Sequence, residues 1–514
     1  MRTYILALTK YGLTAIVVLY TIIAFYLLFA KKRNEMIFGF IQSMLMLAFQ
    51  LIAYLTLAVA MQDGKYIMFS LVQLATFFAA ILAYRILYKN ASTALLNNMC
   101  FLLSVGLVII SRLDFTKAWK QFAIAVVGLA IAVALPMLRG MFGLLKKPKF
   151  FYALVSILIL SMVMLLGSET LGANITWSIG GLTFQPSEFI KILYLLFLAS
   201  TLKDVRDFRD VLLVAIFAGA HVLVLIGSTD LGSGLIYYIV FLFMLYLATG
   251  MWYLLAGGIA AMGVGAVAMY MMFAHVKNRV QGFLDPWSVI DTIGYQITQA
   301  LFAISGGGWW GAGLGQGTPD KVPFADTDFI FASSAEEYGL IIAICIILIE
   351  INCVFHMLKL ASGFADKFYQ LLAYGCAVTY GFQAFLTLGG QTKFIPLTGV
   401  TLPLVAYGGS SILSTLLMLT MVQMMFMIRG DKIDELKARR QAKITRARAY
   451  DADDGYGDYQ GYARSSYTAP NSSGYLDDDD DDSQSGSHYS RPVYSSANRR
   501  PSTTFRPQSS ARRY

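Results

Sequence analysis

Residues 231–249 read LGSGLIYYIVFLFMLYLAT, a run of nineteen positions without a charged side chain. A helix of about 20 apolar residues is long enough to cross the hydrocarbon core of a bilayer. Runs of the same kind recur along the chain as far as residue 430. Only 14% of the 514 residues are charged, whereas a soluble domain carries roughly a quarter. The sequence therefore predicts an all-α polytopic membrane protein.

The apolar runs predict thirteen transmembrane helices. They lie at residues 11–30, 36–61, 66–88, 95–111, 118–138, 150–167, 185–201, 210–227, 231–249, 251–274, 337–357, 369–388 and 404–428. Lysine and arginine concentrate in alternate connections, as the positive-inside rule expects of cytoplasmic loops. This bias predicts a cytoplasmic C-terminal tail, an extracellular N-terminus and a large extracellular loop before the eleventh helix.

Composition divides the chain into three regions. Residues 1–92 hold the first three predicted helices, and residues 93–430 hold the other ten. The extracellular loop at 275–336 contains the glycine-rich stretch SGGGWWGAGLGQG, and its aromatic residues and prolines predict an ordered segment. Residues 431–514 run from a basic stretch to six consecutive aspartates with almost no aliphatic side chains, a composition typical of a disordered tail.

The net charge of +9 does not require a nucleic acid as partner. The basic residues lie mostly in short loops and in the segment 429–448, a distribution typical of membrane topology and of contact with anionic lipid headgroups. The four cysteines form no CxxC pair and the four histidines are scattered, so we expect no metal site built from protein ligands.

Charged side chains in or beside the predicted spans are costly to insert, by about 2.5–3.5 kcal/mol at the bilayer centre. Glu188 and Lys191 are three residues apart at the start of one span, close enough on a helix to pair. They could be a structural ion pair, a site for an anionic headgroup, or both. Asp230 lies in a tight turn between two spans, where helix capping is the simpler explanation.

Asp328 precedes the span that follows the extracellular loop, and Glu336 and Glu337 come shortly after it. Capping near the positive end of a helix is again the simpler explanation for Asp328. Three acids so close to an apolar core are costly unless something uses them. From the residues alone, two readings stay open: a transporter with an acidic pathway, or an enzyme that acts on a lipid-linked substrate at the outer surface.

Five strings narrow this choice. They are FQPSEFIK at 184–191, DLG at 230–232, GYQITQA at 294–300, TDFIFA with EEYG between 327 and 339, and PLTGVTLP with YGGSS between 396 and 411. In this order and with these gaps, the strings resemble the SEDS family, which comprises FtsW, RodA and SpoVE. The similarity covers roughly residues 95–428, where ten spans are predicted, the number found in that family.

The resemblance implies a peptidoglycan glycosyltransferase that polymerises lipid II on the outer face of the cytoplasmic membrane with inversion at the anomeric carbon. Asp328 falls in the string that carries the family's catalytic aspartate. Glu188 and Lys191 match its Glu–Lys pair, Asp230 its acid before Leu-Gly, and Trp177 an important tryptophan. The resemblance adds these residues to the expected substrate cavity: Arg279, Gln296, Gln299, Glu336, Glu337, Thr398, Tyr407, Ser410 and Ser411.

The same resemblance implies lipid II and membrane lipids as ligands and a class B penicillin-binding protein, a transpeptidase, as partner. No cofactor is expected to be built in, although Mg²⁺ or Mn²⁺ could accompany the substrate's pyrophosphate. A lipid II flippase and a non-catalytic scaffold of the division or elongation machinery are the alternatives. The motifs do not distinguish division, elongation and sporulation.

Overall fold

A computed structural model gives the structure of residues 2–170, 173–179 and 182–453. The helices in these ranges are α1 Arg2–Phe29, α2 Lys32–Met61, α3 Lys65–Leu87, α4 Thr93–Leu113, α5 Phe115–Ala134, α6 Lys149–Leu166, α7 Pro186–Leu202, α8 Phe208–Gly227, α9 Leu231–Thr249, α10 Trp252–Met272, α11 Ala274–Leu284, α12 Tyr295–Gly307, α13 Ile330–Tyr338, α14 Leu340–Ala361, α15 Lys367–Gln391 and α16 Gly409–Asp453. Two 3₁₀ segments are Leu135–Lys146 and Pro319–Lys321.

Twelve of the described helices are long and apolar enough to cross a membrane, which confirms the predicted polytopic α-helical class. They correspond to twelve of the predicted spans. The remaining predicted span, 185–201, is α7, whose 17 residues make it shorter than any of the twelve. Because α7 is buried along most of its length and packs against α6, α9 and α15, it belongs to the bundle, and a count of thirteen spans stays a prediction.

A small sheet lies between α6 and α7 and departs from the all-α prediction. Strands β1 Ser168–Thr170, β2 Ala173–Ile179 and β3 Leu182–Phe184 pair antiparallel in the order β1-β2-β3. Strands of three to seven residues are too short to produce an apolar run near 20 residues, so the span pattern does not predict them. The β-branched residues Ile175 and Thr176, which favour strands, were the available signal.

Helix α4 lies at the centre of the bundle, because every residue from Ala94 to Ser111 is buried. It packs against α2, α3, α5 and α14. Gly106 lets the segment before α16 cross directly over α4, since a Cβ atom there would lie 2.2 Å from the carbonyl oxygen of Val405. This crossing fixes the position of the PLTGVTLP segment, which borders the candidate site.

The three N-terminal helices are joined to the rest of the bundle by buried hydrogen bonds. Tyr20 of α1 donates to Asn98 of α4 at 2.9 Å, and Asn98 donates to Asn352 of α14 at 2.8 Å. Asn352 in turn donates to the carbonyl oxygen of Ala24 at 3.0 Å. Buried amides are usually paired, and these bonds join α1 to α4 and α14. Helices α2 and α3 pack on α4 as well, so all three N-terminal helices belong to the bundle.

About half of the predicted extracellular loop is helical, since residues 275–336 contain most of α11, all of α12 and most of α13. Its glycine-rich stretch is ordered. Gly311, Gly313 and Gly315 all have positive φ, the left-handed region that glycine enters at little cost. An added Cβ at Gly311 would also lie 2.3 Å from the Glu337 carbonyl oxygen. The glycines therefore let this stretch pack directly on α13.

The C-terminal tail needs a correction. Helix α16 runs without interruption from Gly409 to Asp453, so the first part of the segment predicted to be disordered, 431–453, is helical. Alanine, lysine, arginine and glutamate are strong helix formers, and they fill this stretch despite its low aliphatic content. The rest of the predicted tail, 454–514 with its six aspartates, lies outside the described residues.

Candidate active site

Asp328 lies in a compact turn immediately before α13. Phe324 adopts a positive φ of 56°, and its carbonyl oxygen accepts hydrogen bonds from the N–H groups of Thr327 at 3.1 Å and Phe329 at 3.0 Å. Phe329 is completely buried in a small apolar cluster with Ala300 and other residues. Two backbone bonds and one buried ring thus hold the residue on either side of Asp328, which fixes the direction of its side chain.

Asp328 does not cap α13, although capping was the simpler explanation of its position. The first residue before α13 is Phe329, and no side chain there caps the helix. Instead, Gln391 at the end of α15 accepts hydrogen bonds from the N–H groups of Phe331 at 2.9 Å and Ala332 at 3.1 Å. These N–H groups would otherwise lack partners. A residue 60 positions away therefore caps the helix and leaves Asp328 available.

Two aspartates occur in this turn, and their environments differ. The carboxylate of Asp326 forms an ion pair with Lys117 of α5 at 2.6 Å, and its carbonyl oxygen accepts from the N–H of Tyr407 at 2.7 Å. Among the described residues, no hydrogen-bond or ion-pair partner lies within reach of the Asp328 carboxylate. Asp326 thus anchors the turn, and Asp328 is the acid that stays free to meet a ligand.

A cavity of about 380 Å³ opens beside Asp328, within the range of small-ligand sites. Its lining comes from α11, α12, the turn before α13 and the segment after α15. The polar side chains in this lining are His275, Asn278, Arg279, Thr292, Gln296, Asp328 and Lys393. Asp328 is the one carboxylate among these described lining residues, next to two side chains that carry a positive charge. The cavity is suited to a ligand with negative charge.

Burial and charge act in opposite directions on Asp328. Loss of water around the carboxylate raises its pKa above the usual value, and the charge of nearby Arg279 partly offsets this rise. A raised pKa makes a carboxylate a stronger base, nearer to the pKa that suits proton transfer at neutral pH. The site therefore combines a carboxylate of raised pKa with a nearby cation that limits the rise.

Arg279 links this cavity to a second group of predicted residues. It donates to the carbonyl oxygen of Thr398 at 3.1 Å, and both Asp328 and Asp230 are close enough for their charges to affect its pKa. Asp230 caps α9, accepting from the N–H of Ser233 at 3.1 Å, and accepts from the Ser187 hydroxyl at 3.3 Å. The capping explanation for Asp230 is confirmed, and the residue also borders Arg279.

Glu188 and Lys191 form a buried ion pair with Nζ and Oε2 2.8 Å apart. Lys191 also donates to Gln383 at 2.8 Å, and Ser414 donates to Glu188 at 3.0 Å. Each charged group of the pair thus has two protein partners, which offsets much of the cost of burying it. The pair therefore has the contacts expected of a structural ion pair, and it does not line the cavity beside Asp328.

Three residues near the start of α16 are occupied by protein contacts. The Ser410 hydroxyl accepts from the N–H of Gln185 at 3.0 Å, and Ser411 accepts from Thr401 at 2.9 Å. The ring of Tyr407 lies 5.5 Å from the ammonium of Lys117. These contacts tie α16 to α7, to the PLTGVTLP segment and to α5, so the three residues surround the site without lining the cavity.

Glu336 and Glu337 were predicted to lie in the substrate cavity, and the structure places both elsewhere. Glu336 accepts from the N–H of Thr318 at 2.7 Å. Glu337 forms an ion pair with Arg112 at 3.1 Å and accepts from the N–H of Gly315 at 3.1 Å. Both acids are buried and hold the glycine-rich stretch against α13. These bonds offset the free-energy cost of placing two carboxylates near the apolar core.

Two further predicted residues lie away from the cavity. Trp177 is half-buried on β2, opposite Phe184 of β3. Gln299 is half-buried on α12, three residues after Gln296, which does line the cavity. Of the residues predicted from the sequence, the structure therefore brings Asp328, Arg279 and Gln296 into one cavity.

The sequence matches the family of FtsW, RodA and SpoVE, described as "Cell cycle protein", over residues 91–429. The chain belongs to this family. Mycobacterium tuberculosis peptidoglycan glycosyltransferase RodA is 34% identical over 387 residues, covering 69% of this chain and 82% of that protein. The probable peptidoglycan glycosyltransferase FtsW of Nitrosococcus halophilus is 32% identical over 309 residues, covering 58% of this chain and 79% of that one.

Solved structures of the FtsW/RodA/SpoVE family have the same fold. A chain in a structure titled "Structural coordination of polymerization and crosslinking by a peptidoglycan synthase complex" is 26% identical, with a TM-score of 0.59, and covers 66% of this chain and 98% of that one. The rod shape determining protein RodA of Thermus thermophilus is 25% identical, with a TM-score of 0.50, over 66% of this chain and 97% of that one.

Pattern reasoning missed several residues that shape this family member's site. Gln391 of α15 caps the helix that follows Asp328, and Lys117 of α5 pairs with Asp326 in the same turn; no local spacing relates either residue to position 328. The available signal was the position of Gln391 just after a predicted span, where polar residues are ordinary and therefore uninformative. His275 of the cavity lining was noted only as unsuited to a metal site.

The cavity is a poor site for a divalent cation. Its oxygen donors are one carboxylate and the neutral side chains of Asn278, Thr292 and Gln296, and two cations stand beside them; Mg²⁺ is usually held by one or two carboxylates together with substrate phosphates. No group of three or more His, Cys, Asp or Glu residues in the described part of the chain could hold a metal. Any divalent cation at this site would have to be held mainly by the substrate, which stays a prediction.

Proposed function

We propose that this chain is a peptidoglycan glycosyltransferase that polymerises lipid II on the outer face of the cytoplasmic membrane. Membership of the FtsW/RodA/SpoVE family and relatives named peptidoglycan glycosyltransferase support the reaction class. The assignment of the site rests on half-buried Asp328, which has no hydrogen-bond or ion-pair partner among the described residues and shares a cavity with Arg279 and Lys393. An acid used only for packing would be paired, as Asp326 is with Lys117.

In the proposed step, Asp328 accepts the proton of the acceptor's 4-hydroxyl as that oxygen attacks the anomeric carbon of the donor sugar. The bond from that carbon to the pyrophosphate oxygen breaks, its electron pair leaves with the pyrophosphate, and the configuration inverts. A positioned base contributes about 10²–10⁴-fold to such a reaction. The raised pKa of Asp328 favours this role, because a stronger base takes the proton earlier in the attack.

We assign to Arg279 the role of stabilising the negative charge that develops on the leaving pyrophosphate. Fixed cations aimed at developing negative charge stabilise a transition state more than mobile water does. Arg279 is held toward the cavity by its bond to the Thr398 carbonyl oxygen. Asp230, whose charge affects Arg279, and the Glu188–Lys191 pair are assigned structural roles. The anionic-headgroup alternative for this pair is set aside because the ammonium of Lys191 is already bound by Glu188 and Gln383.

The proposed location is the inner, cytoplasmic membrane, with the cavity outside and α16 ending in the cytoplasm. The positive-inside bias supports this orientation, since odd numbers of predicted spans separate the loop that holds the cavity from the basic residues Lys146, Lys147 and Arg429. A class B penicillin-binding protein is proposed as partner. Support comes from the similar chain found in a peptidoglycan synthase complex whose title joins polymerisation to crosslinking.

Purified full-length chain with labelled lipid II tests the proposal. We expect long glycan from the wild type and a loss of at least 100-fold in Asp328→Ala, with lipid II binding retained. Asp320→Ala is the matched control, because its carboxylate is exposed and its contact with Arg112 is 3.9 Å long. A chain that moves lipid II across vesicles without making glycan would establish the flippase alternative. Full activity of Asp328→Ala would refute the base assignment.

A further inference from the structure

Lys393 has an unusual backbone conformation at the edge of the cavity. It follows α15 by two residues and adopts a positive φ of 57°, a region that few residues other than glycine and asparagine enter. The turn around it is closed by hydrogen bonds from Lys393 to Gly390 at 3.4 Å and from Phe394 to Gly389 at 2.8 Å. Glycine is the residue that most often ends a helix this way, so the backbone alone does not account for a lysine.

The side chain of Lys393 lines the same cavity as Asp328 and Arg279. Among the described residues, no carboxylate lies within ion-pair distance of its ammonium. Asp285 is close enough for Lys393 to influence its pKa, but hydrogen bonds from Ser288 are the larger influence there, and Asp285 is exposed and outside the cavity lining. The ammonium therefore faces a cavity that already contains the charge of Arg279.

The position of Lys393 is coupled to that of Asp328. Gln391, two residues before Lys393, binds the N–H groups of Phe331 and Ala332, which follow Asp328 by three and four residues. The end of α15 and the start of α13 are thus joined through one completely buried side chain. This junction therefore limits how far Lys393 and Asp328 can move relative to each other.

We infer that Lys393 is a second anion-binding residue of the cavity, which holds the pyrophosphate of the lipid-linked donor from a different wall than Arg279. This inference rests on the proposed function. When the bond between the anomeric carbon and the pyrophosphate oxygen breaks, the leaving group gains one negative charge. Two fixed cations on separate walls can bind the two phosphates at once, and they stabilise that charge where it develops. A carboxylate of the donor's stem peptide is the other anion that could reach Lys393.

The test compares Lys393→Asn and Lys393→Arg with the wild type in polymerisation of labelled lipid II. Asparagine tolerates positive φ, so Lys393→Asn should unfold at the same temperature as the wild type or higher while polymerising at least tenfold more slowly. Lys393→Arg should retain most of the rate. Lys277→Gln is the matched control, because Lys277 is exposed on α11 and does not line the cavity.

Two further measurements identify the anion. If Lys393 binds pyrophosphate, Lys393→Asn should depend more steeply on Mg²⁺ concentration than the wild type, and its defect should persist with lipid II whose stem-peptide carboxylates are amidated. Disappearance of the defect with the amidated donor would overturn the pyrophosphate assignment. A Lys393→Asn rate within twofold of the wild type would overturn the inference as a whole, whereas absence of glycan from the wild type would instead remove the proposed function.

Discussion

Gln391 provides the sharpest test of how the fold positions Asp328. Its side-chain oxygen binds the N–H groups of Phe331 and Ala332 at 2.9 and 3.1 Å. The substitution Gln391→Leu keeps the size of the side chain but removes this acceptor. Both N–H groups then stay buried without a partner, and Asp328 loses the junction that fixes the start of α13.

The expected loss of stability follows from counting unpaired groups. Two buried N–H groups without an acceptor cost about 1–3 kcal/mol each. In the wild type the side-chain nitrogen of Gln391 is itself buried without a hydrogen-bond partner in the described structure. The substitution removes this unpaired group as well, which stabilises the folded state by about 1–3 kcal/mol. The net decrease in unfolding free energy is therefore about 1–3 kcal/mol. A shift of about 1 Å in a catalytic group can cost roughly 100-fold in rate.

Gln423→Leu separates loss of position from loss of stability. Gln423 binds both the N–H and the carbonyl oxygen of Ser92 at 2.9 Å. Its removal leaves the buried Ser92 N–H unpaired, at a cost of about 1–3 kcal/mol, whereas the carbonyl oxygen keeps its bond from the N–H of Leu96. Gln423 lies 14 residues after Gly409 along α16, roughly 21 Å at 1.5 Å per residue. We expect Gln423→Leu to be destabilised to a similar extent in thermal unfolding and to polymerise within about threefold of the wild type. Equal polymerisation rates for the two variants would refute the positioning role of Gln391.

Three other outcomes are expected. Asp328→Asn should lose about 10²–10⁴-fold in polymerisation, whereas Asp326→Asn, which breaks a partly exposed pair with Lys117, should lower unfolding free energy by about 1 kcal/mol or less. The polymerisation rate should rise with pH through the raised pKa of Asp328, and Arg279→Gln should move that midpoint to still higher pH, because Arg279 opposes the rise; an unchanged midpoint in a pH–rate profile would contradict this. Glu337→Gln should lower unfolding free energy by about 1–3 kcal/mol by weakening its charged hydrogen bonds, measured by thermal unfolding in detergent.

The sequence predicted the helical bundle well because each span must be apolar over its own length. Hydropathy is a local property, so α9 coincides with its predicted span and α14 lies within four residues of its own. The small sheet was missed because its strands are shorter than any membrane signal. The helical start of the tail was missed because low aliphatic content was given more weight than the helix-forming residues between Lys432 and Arg446.

The site was predictable only where one string holds the functional residue. Asp328 lies in such a string, but the decision between Asp326 and Asp328 depends on Lys117, a residue on α5. Glu336 and Glu337 were placed in the cavity because they are acidic and close in sequence to Asp328. The structure instead pairs them with the glycine-rich stretch and Arg112, contacts that no spacing along one helix reveals.

The N-terminal helices bear on the site through that same glycine-rich stretch. Gly315 packs on α2 so closely that an added Cβ would lie 2.7 Å from the Cβ of Ala60, and its N–H binds Glu337. Glu337 belongs to α13, whose first turn is capped by Gln391 and begins just after Asp328. A continuous series of buried contacts thus runs from α2 to the proposed base. Because packed interiors transmit strain rather than absorb it, the extension at residues 1–92 contributes to holding Asp328 in place.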